Sequence, residues 1–382
     1  MPRGSIRKRD NRPLKPWEVV VELARDPTTE ARRQQSRSFR TRKEAQVELA
    51  RWLAEIDGGL AVDRSKQTVA ETLAYWLDTY ARPNVRPGTF EMYEYTALHY
   101  IAPALGTIQV QKLTPDRVQA FYSRLLREGV GARTVQLCHL RLSQALGQAV
   151  RLGLIPRNVC DVVTPPRVER KEMTTWTQDE ARRFLAAAKD SGYGPLWAVF
   201  LATGMRRGEV LGLRWQDFNG DARTLTVIQA VTLVTNAVAV GRLKSKAARR
   251  VVSIPSPLVS ALQAHKAQQN ERRLALGEAW EDHDLIFAAA NGKPIHPGNL
   301  KRDYTRLVSA AGVPSIRIHD LRHTHVTFEL KAGGNLKAVS ERVGHARTSI
   351  TLDVYAHAIP EQRTDLADKI GAVLFPSSQE AL

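Results

Sequence analysis

The stretch Ala202-Thr203-Gly204-Met205-Arg206-Arg207-Gly208-Glu209-Val210-Leu211-Gly212-Leu213-Arg214-Trp215 decides how the rest of the chain is read. It follows the longest apolar run, Pro195 to Ala202. Gly204 is expected to break the preceding helix, which puts Arg206 at the start of a new one. Backbone N–H groups and the positive end of the helix dipole gather at such a start, which suits a phosphate. Glu209 lies one turn further on the same face and can orient Arg206. Alone the segment is a weak signal, because Arg-x-x-Glu on a helix is most often a solvated ion pair.

Three later segments add to it. Leu243-Lys244-Ser245-Lys246-Ala247-Ala248-Arg249-Arg250, continuing to Pro255, reads as the turn and returning strand of a hairpin. A lysine at its tip, Lys244, can swing into a cleft; the plainer reading is a basic turn that only touches DNA backbone. Ile318-His319-Asp320-Leu321-Arg322-His323-Thr324-His325 puts His319, Arg322 and His323 on one helical face. Its His-Asp-x-x-His is similar to the zinc motif His-Glu-x-x-His. Aspartate replaces the glutamate, however, and Arg322 on the same face would repel a dication, so no metal site is expected. His323 and His325 also fit the role of satisfied core histidines. The last segment runs from Gly344-His345 to Asp353-Val354-Tyr355-Ala356-His357. A lone tyrosine is nearly always packing; the basic segments upstream and His345, ten residues before it, are what single out Tyr355.

Composition agrees with a polyanion partner. The 382 residues carry 56 Lys+Arg against 39 Asp+Glu, a formal net charge of +17. Nucleic acid is the first expectation and an anionic membrane surface the second. Hydrophobic residues at 43% and charged residues at 25% exclude disorder of the whole chain. The first residues hold no apolar core of a signal peptide, and the Pro195–Ala202 run is far below the roughly 20 residues a membrane span needs. Cys138 and Cys160 lack CxxC spacing and fit a reducing cytoplasm, with both thiols buried in structural roles.

The expected class is a multidomain, mainly α protein with small β-sheets (α+β). Residues 1–63 read as a small sheet and a helix. Trp17–Leu23 and Arg37–Arg40 have strand character, and the capping box Thr41…Glu44 opens a helix with the stripe Ala45, Leu49, Trp52, Leu53, Ile56. Residues 64–165 read as helical, from the box Thr68…Glu71, with a break at 82–89 and further helices at about Thr89–Ile101, Thr114–Glu128 and Ala132–Leu152. Residues 166–172 are a proline-rich basic linker. Residues 173–375 form the largest unit, which opens with the box Thr177…Glu180. It is interrupted by a β-rich stretch over Thr224–Ile254, returns to helix at Ser256-Pro257, and ends with Leu366, Ile370, Val373 and Leu374 on one helical face. Residues 376–382 are a tail. The net charge is +4 over 1–63, +6 over 64–172 and +7 over 173–382, so no single tail holds the excess.

The four segments together suit attack on a phosphodiester without metal. Such catalysis must supply on the order of 20 kcal/mol, and one positioned donor contributes roughly 3–4 kcal/mol. Several cations must therefore converge, for which two arginine forks are suited. A lysine can protonate the leaving 5′ oxygen, and a covalent nucleophile conserves the bond for resealing.

In this order and spacing the segments resemble the tyrosine recombinase family, specifically phage and integrative-element integrases. The family pattern is T-G-x-R-x-x-E, a β-turn lysine, H-x-x-R, an L-G-H-like histidine and a tyrosine about ten residues later. Two departures stand out: Lys244-Ser245 replaces the usual K-T, leaving Lys246 as a rival for the lysine role, and Val343 replaces the leucine before Gly344. The resemblance implies Tyr355 as nucleophile, forming a 3′-phosphotyrosyl link, and Arg206 and Arg322 as the phosphate clamp. Lys244 would be the general acid, His319 a phosphate contact or proton acceptor, His345 a donor to a non-bridging oxygen, and Glu209 the support of Arg206. Residues 1–63 would be a three-stranded-sheet-plus-helix arm-binding domain, 64–165 a helical, SAM-like core-binding domain, and 173–375 the mixed α/β catalytic domain.

The same resemblance implies an integrase that joins a phage or mobile element to its host DNA through a Holliday junction. With a helper factor it would excise the element. The working form would be a homotetramer on attachment core and arm sites, with an excisionase and a host DNA-bending protein as partners. It would need no cofactor and no membrane, and would act in the cytoplasm at the bacterial nucleoid. The last helix would pack on a neighbouring protomer or on its own domain. DNA contacts are expected from Arg3, Arg7, Lys8, Arg9, Arg37, Arg40, Arg133, Arg141, Lys246 and Arg249. A dimer resolvase, a type IB topoisomerase and a non-catalytic DNA-binding regulator on the same scaffold remain alternatives.

Overall fold

The computed structural model describes residues 4–23, 33–57, 65–169, 173–234, 237–243, 249–344, 352, 370–371 and 374. The chain forms two compact units, Met1–Arg170 and Lys171–Leu382. The stretches 1–63 and 64–165 both fall in the first unit, where two separate apolar cores form.

One core is a sheet covered by a helix. Strands β1 (Gly4–Lys8), β2 (Trp17–Leu23) and β3 (Arg33–Phe39) pair antiparallel in that order, with Trp17 opposite Lys8 and Phe39. The strand read at Arg37–Arg40 is thus longer and begins earlier, and Gly4–Lys8 completes the sheet. Helix α1 (Arg42–Asp57) starts as the capping box requires: the Thr41 hydroxyl accepts from the Glu44 N–H (3.2 Å), and the Glu44 carboxylate accepts from the Thr41 N–H (3.3 Å). Ala45 and Trp52 on α1 close over Val19 and Val21.

The other core is helical. Helix α2 (Val69–Trp76), capped by the Thr68–Glu71 box, runs through a π turn (Leu77–Ala81) into α3 (Arg82–Asn84). Helix α4 (Pro87–Thr96) runs through a second π turn (Ala97–Ile101) into α5 (Ala102–Leu105). The expected break at 82–89 is narrowed and the expected stop at Ile101 is corrected, since the chain stays helical through Pro83 and Pro103. Each π turn sits just ahead of its proline, with Arg82 N–H bonded to Leu77 O and Ala102 N–H to Ala97 O. A proline lacks a donor and clashes with the carbonyl four residues back; widening the turn by one residue absorbs both defects. The true break is Val85-Arg86, both extended, immediately before Pro87. Helix α6 (Pro115–Arg127) begins at Thr114, whose side chain makes no capping bond to the backbone, contrary to expectation. Helix α7 (Ala132–Arg151) buries Val135, Cys138, Leu142, Ala145, Leu146 and Ala149 at helical spacing. Cys138 and Cys160 are free and buried, and burial pushes each thiol up to about 12, as a structural role requires.

In the second unit, α8 (Gln178–Ala188) is capped by Thr177–Glu180, and α9 (Gly194–Thr203) is buried on nearly every side. A five-residue helix, α10 (Arg207–Leu211), follows. Strands β4 (Phe218–Asn219), β5 (Thr224–Val227) and β8 (Arg250–Ser253) form one sheet in that order; β6 (Gln229–Val234) and β7 (Ala237–Arg242) form a separate hairpin. This corrects the hairpin expected around Lys244. The hairpin ends at Arg242, and β8 pairs with β5, because buried Val252 lies opposite buried Leu225. Lys244 falls between Arg242 of the hairpin and Arg250 of β8, outside the described residues. Helix α11 (Ser256–Leu276) starts after Pro255, with no side-chain cap from Ser256. Helices α12 (Pro297–Ala311), α13 (Asp320–Lys331) and α14 (Leu336–Val343) complete the unit around Trp176, Phe184, Trp197, Phe200 and Tyr304. In the expected C-terminal stripe, Ile370 and Leu374 are helical and exposed, while Leu366 and Val373 lie outside the described residues. Among the described residues, no helix is long and apolar enough to cross a membrane.

The hairpin reaches the site region because two glycines let backbones touch. A Cβ on Gly208 would lie 2.5 Å from Val231 O, and one on Gly212 would lie 3.0 Å from Ala230 Cα. Gly208→Ala should therefore lower the thermal midpoint by several degrees, corresponding to roughly 1–3 kcal/mol of overpacking. A Cβ on Gly147, inside α7, would meet nothing within 4 Å. Gly147→Ala should raise stability by about 0.5–1 kcal/mol. Calorimetry on both variants checks the opposite signs.

Candidate active site

Helix α9 ends where the sequence requires it. Gly204 takes a left-handed φ of 60°, and its N–H closes on Phe200 O. A Cβ there would lie 2.5 Å from His325 Cδ2, so the turn also packs tightly on α13. Arg206 then adopts an extended cap position before α10. Its Nη1 donates to Glu209 Oε1 (2.8 Å), and its Nη2 donates to Gly344 O (3.1 Å). Its backbone N–H donates to Glu209 Oε2 (3.1 Å). The backbone donor expected to greet a phosphate is thus already engaged by Glu209. What the turn offers is the Arg206 side chain, 41% exposed.

Glu209 is no solvated surface partner. Its side chain is 3% exposed, and Oε2 also accepts from Arg250 Nη2 at 2.8 Å. Burial alone would raise its pKa, but Arg250 and then Arg206 hold the carboxyl below the usual range. Arg250 Nε donates to Arg342 O (2.6 Å) on the last turn of α14. Arg342 answers with Nη2 donating to Ser253 O (2.9 Å) on β8 and to Ala202 O (3.2 Å) at the end of α9. Gly344, at φ 72°, ends α14, and a Cβ on it would lie 2.9 Å from Arg250 Nη1. Neither Arg250 nor Arg342 was singled out from the sequence. The signal available for Arg250 is strand alternation: Arg250, Val252 and Ile254 share one face, and the latter two are buried.

Helix α13 supplies the next group. Arg322 is 2% exposed and donates from Nη1 to Gly204 O (2.8 Å), which ties it to the turn that carries Arg206. His319 occupies the N-cap position of α13 with no capping bond from its side chain, and its ring meets that of His323 edge to face, with centroids 5.2 Å apart. Burial, then the charge of Arg322, lowers the pKa of His319, so the ring is neutral near pH 7. His325 is a core histidine: Nδ1 lies 2.9 Å from Leu201 O and Nε2 lies 3.2 Å from Glu329. The structure thus brings Arg206, Glu209 and Arg322 onto one frame. Lys244, Lys246, His345 and Tyr355 lie outside the described residues, as does Arg3.

The expected DNA contacts divide by exposure. Arg7, Lys8, Arg40, Arg133 and Arg249 are exposed. Arg9 pairs with Glu18 at 2.8 Å, and Arg37 pairs with Glu48 while lying over the Trp52 ring. Arg141 is the correction. It is buried, its guanidinium lies 3.6 Å from the Tyr93 ring centroid, and it donates to Gln144, so it packs the helical core.

A helical module in one unit, and in the other a mixed α/β body with clamped arginines and a histidine at the start of α13, define the tyrosine recombinase class of fold. Residues 175–362 match the phage integrase family model, and residues 68–126 match the N-terminal SAM-like domain of phage integrases. A tyrosine recombinase XerC-like protein of Caldanaerobacter subterraneus subsp. tengcongensis is 29% identical over 93% of this chain and 95% of that protein. The ICEBs1 integrase of Bacillus subtilis is 26% identical over 94% of this chain and 97% of that protein. The Tn1549 transposon integrase, solved with transposon right end DNA, superposes with a TM-score of 0.69 at 20% identity, covering 80% of this chain and 100% of that one. A lambda integrase dimer on a COC′ core site gives 0.56 at 18% identity, covering 91% of this chain and 93% of that one. The chain belongs to the phage integrase family and is a tyrosine site-specific recombinase.

The histidine pair predicts an acid sensitivity. Burial, then the neighbouring His319, pushes His323 down to about 4. Below pH ~6.5 the unfolded chain binds a proton that folded His323 refuses, so its contribution is complete above that pH and is lost as pH falls toward 4. In urea denaturation at pH 7 and pH 5, His323→Gln should narrow the loss of stability on acidification. A loss equal to wild type would mean that His323 is already protonated in the fold.

Proposed function

We propose that this chain is the integrase of a phage or mobile element, and that it cuts and rejoins duplex DNA through Tyr355. In this reading Tyr355 Oη attacks the scissile phosphorus. A 3′-phosphotyrosyl bond forms, the bond to the 5′ oxygen breaks, and Lys244 delivers a proton to that leaving oxygen. Arg206 and Arg322 hold the non-bridging oxygens as the pentavalent charge develops. His345 donates to the same phosphate. His319, neutral near pH 7, is suited to accept the tyrosine proton. The freed 5′ hydroxyl of a partner duplex then reverses the chemistry, and two rounds pass through a Holliday junction.

One observation carries this reading. Arg322 Nη1 grips the carbonyl of Gly204, two residues before Arg206, so the two guanidiniums are set by the same turn. A binding regulator has no need of such a coupled pair. The assembly proposed is a homotetramer on paired sites in the bacterial cytoplasm, with a small excision factor and a DNA-bending protein setting direction. The lambda integrase tetramer solved on a Holliday junction supports the homotetramer. The basic strands of 4–39 serve arm sites, and the helical module serves the core site.

Tyr355→Phe should bind DNA as wild type does and form no covalent adduct on a nicked suicide substrate; trapping by this variant would overturn the assignment. Arg206→Ala and Arg322→Ala should each slow cleavage by roughly 100-fold or more with little change in binding. Removing residues 1–63 should abolish the arm-site footprint while leaving weak core-site contact, as read by nuclease protection.

A further inference from the structure

We propose that Arg250 is a positioning residue of strand cleavage, keeping the Arg206 guanidinium available to the phosphate and in register with the turn that leads to His345. The inference rests on the reading of Arg206 as a phosphate clamp and concerns what keeps that clamp open.

The geometry has two parts. The first is the sharing of Glu209. Arg206 reaches Oε1 with a single nitrogen, while Oε2 is held by Arg250 Nη2 and by the backbone N–H of Arg206. A guanidinium beside a lone buried carboxylate would close on it with two parallel bonds and spend its fork there. With Arg250 on Oε2, that closure is blocked. Two guanidiniums share one carboxylate, and a net positive charge remains. Arg250 is 7% exposed and Arg206 is 41% exposed, so the surplus is presented through Arg206.

The second part is the link to α14. Arg250 donates to Arg342 O, and Arg206 donates to Gly344 O, two residues further along the same turn. Arg342 returns a bond to Ser253 O on the strand that carries Arg250. This reciprocal clasp joins β8, the start of α10 and the end of α14. One residue after Gly344 the chain reaches His345, and five residues before Arg249 it leaves Lys244. Arg250 therefore sits where β8, the start of α10 and the end of α14 meet, and it acts through its bonds to Glu209 and to Arg342 O.

The test compares two substrates in the full-length protein. One is a nicked suicide duplex with an ordinary scissile phosphate; the other carries an uncharged methylphosphonate at that position, which needs less cationic stabilisation. Arg250→Gln should slow covalent adduct formation on the phosphate by about 100-fold, and on the methylphosphonate by at least about tenfold less, each relative to wild type. DNA affinity should stay within about threefold. The ratio between the two substrates does not depend on how much of the variant folds, so a destabilised preparation still reports. Arg250→Gln, Glu209→Gln should recover part of the loss, because it removes the carboxylate that would otherwise capture Arg206. Equal slowing on both substrates, with no recovery in the double variant, would mean a purely structural role and would overturn the proposal. Arg206→Ala is run alongside. If it cleaves as wild type, the clamp reading itself fails; if it is slow while Arg250→Gln is not, only the role of Arg250 fails.

Discussion

The site is built around one buried carboxylate. Removing Glu209 from water is unfavourable, and an isolated charge there would protonate or pull the fold apart. Arg206 and Arg250 offset that cost together: Arg206 reaches Oε1 with its guanidinium and Oε2 with its backbone N–H, and Arg250 adds a second charged donor on Oε2. Such a pair adds little net stability compared with an apolar replacement, but breaking it by removing one member costs about 3–5 kcal/mol. Its value is geometric. The turn at Arg206 and strand β8 must meet before Glu209 is satisfied, and both its arginine partners also bond the end of α14, so the order of the site is tied to the folding of the unit.

The glycines around it follow from the same constraint. Gly204 turns the chain so that its carbonyl faces Arg322, and it leaves room for the His325 ring. Gly344 ends α14 in a left-handed turn against the Arg250 guanidinium. In both places a side chain would meet strain in the backbone and a close neighbour at once. A T-G-x-R and a G-H pattern can thus be understood as packing requirements of the arginine frame, independent of the chemistry of the residues that follow.

The capping boxes at Thr41, Thr68 and Thr177 were legible because each is a local device, complete within four residues. The prolines were misleading for the opposite reason. The break was set as early as Arg82 and the helix end at Ile101, each just ahead of a proline, and the decision between a break and a π turn depends on how both flanking helices pack. Strand partners were illegible within the β-rich stretch, since nothing near Arg250 states that β8 will skip β7 and join β5. For the site, Arg206, Glu209 and Arg322 stood out by their spacing, and the family resemblance supplied their expected roles. Arg250 could not, because its partners lie 41 and 92 positions away. Arg141 was misread because charge alone does not distinguish a surface arginine from one laid over Tyr93.

The basic excess that first suggested a polyanion divides along the same line. Arg141, Arg250 and Arg322 are interior, donating to carbonyls and amides or, in Arg250, to Glu209 as well. They hold the fold and the site in register, and salt screens buried charge weakly. Arg7, Lys8, Arg40, Arg133 and Arg249 are exposed, and in the proposed reading they are the cations that exchange counterions for phosphates. Affinity for DNA should therefore depend steeply on salt, whereas the arrangement around Glu209 should depend on it little. A net charge of +17 overstates the binding surface, because part of it is structural and internal. That internal part distinguishes a machine for transferring phosphodiester bonds from a protein that merely coats DNA: coating needs cations at the surface, and transfer needs some of them held still.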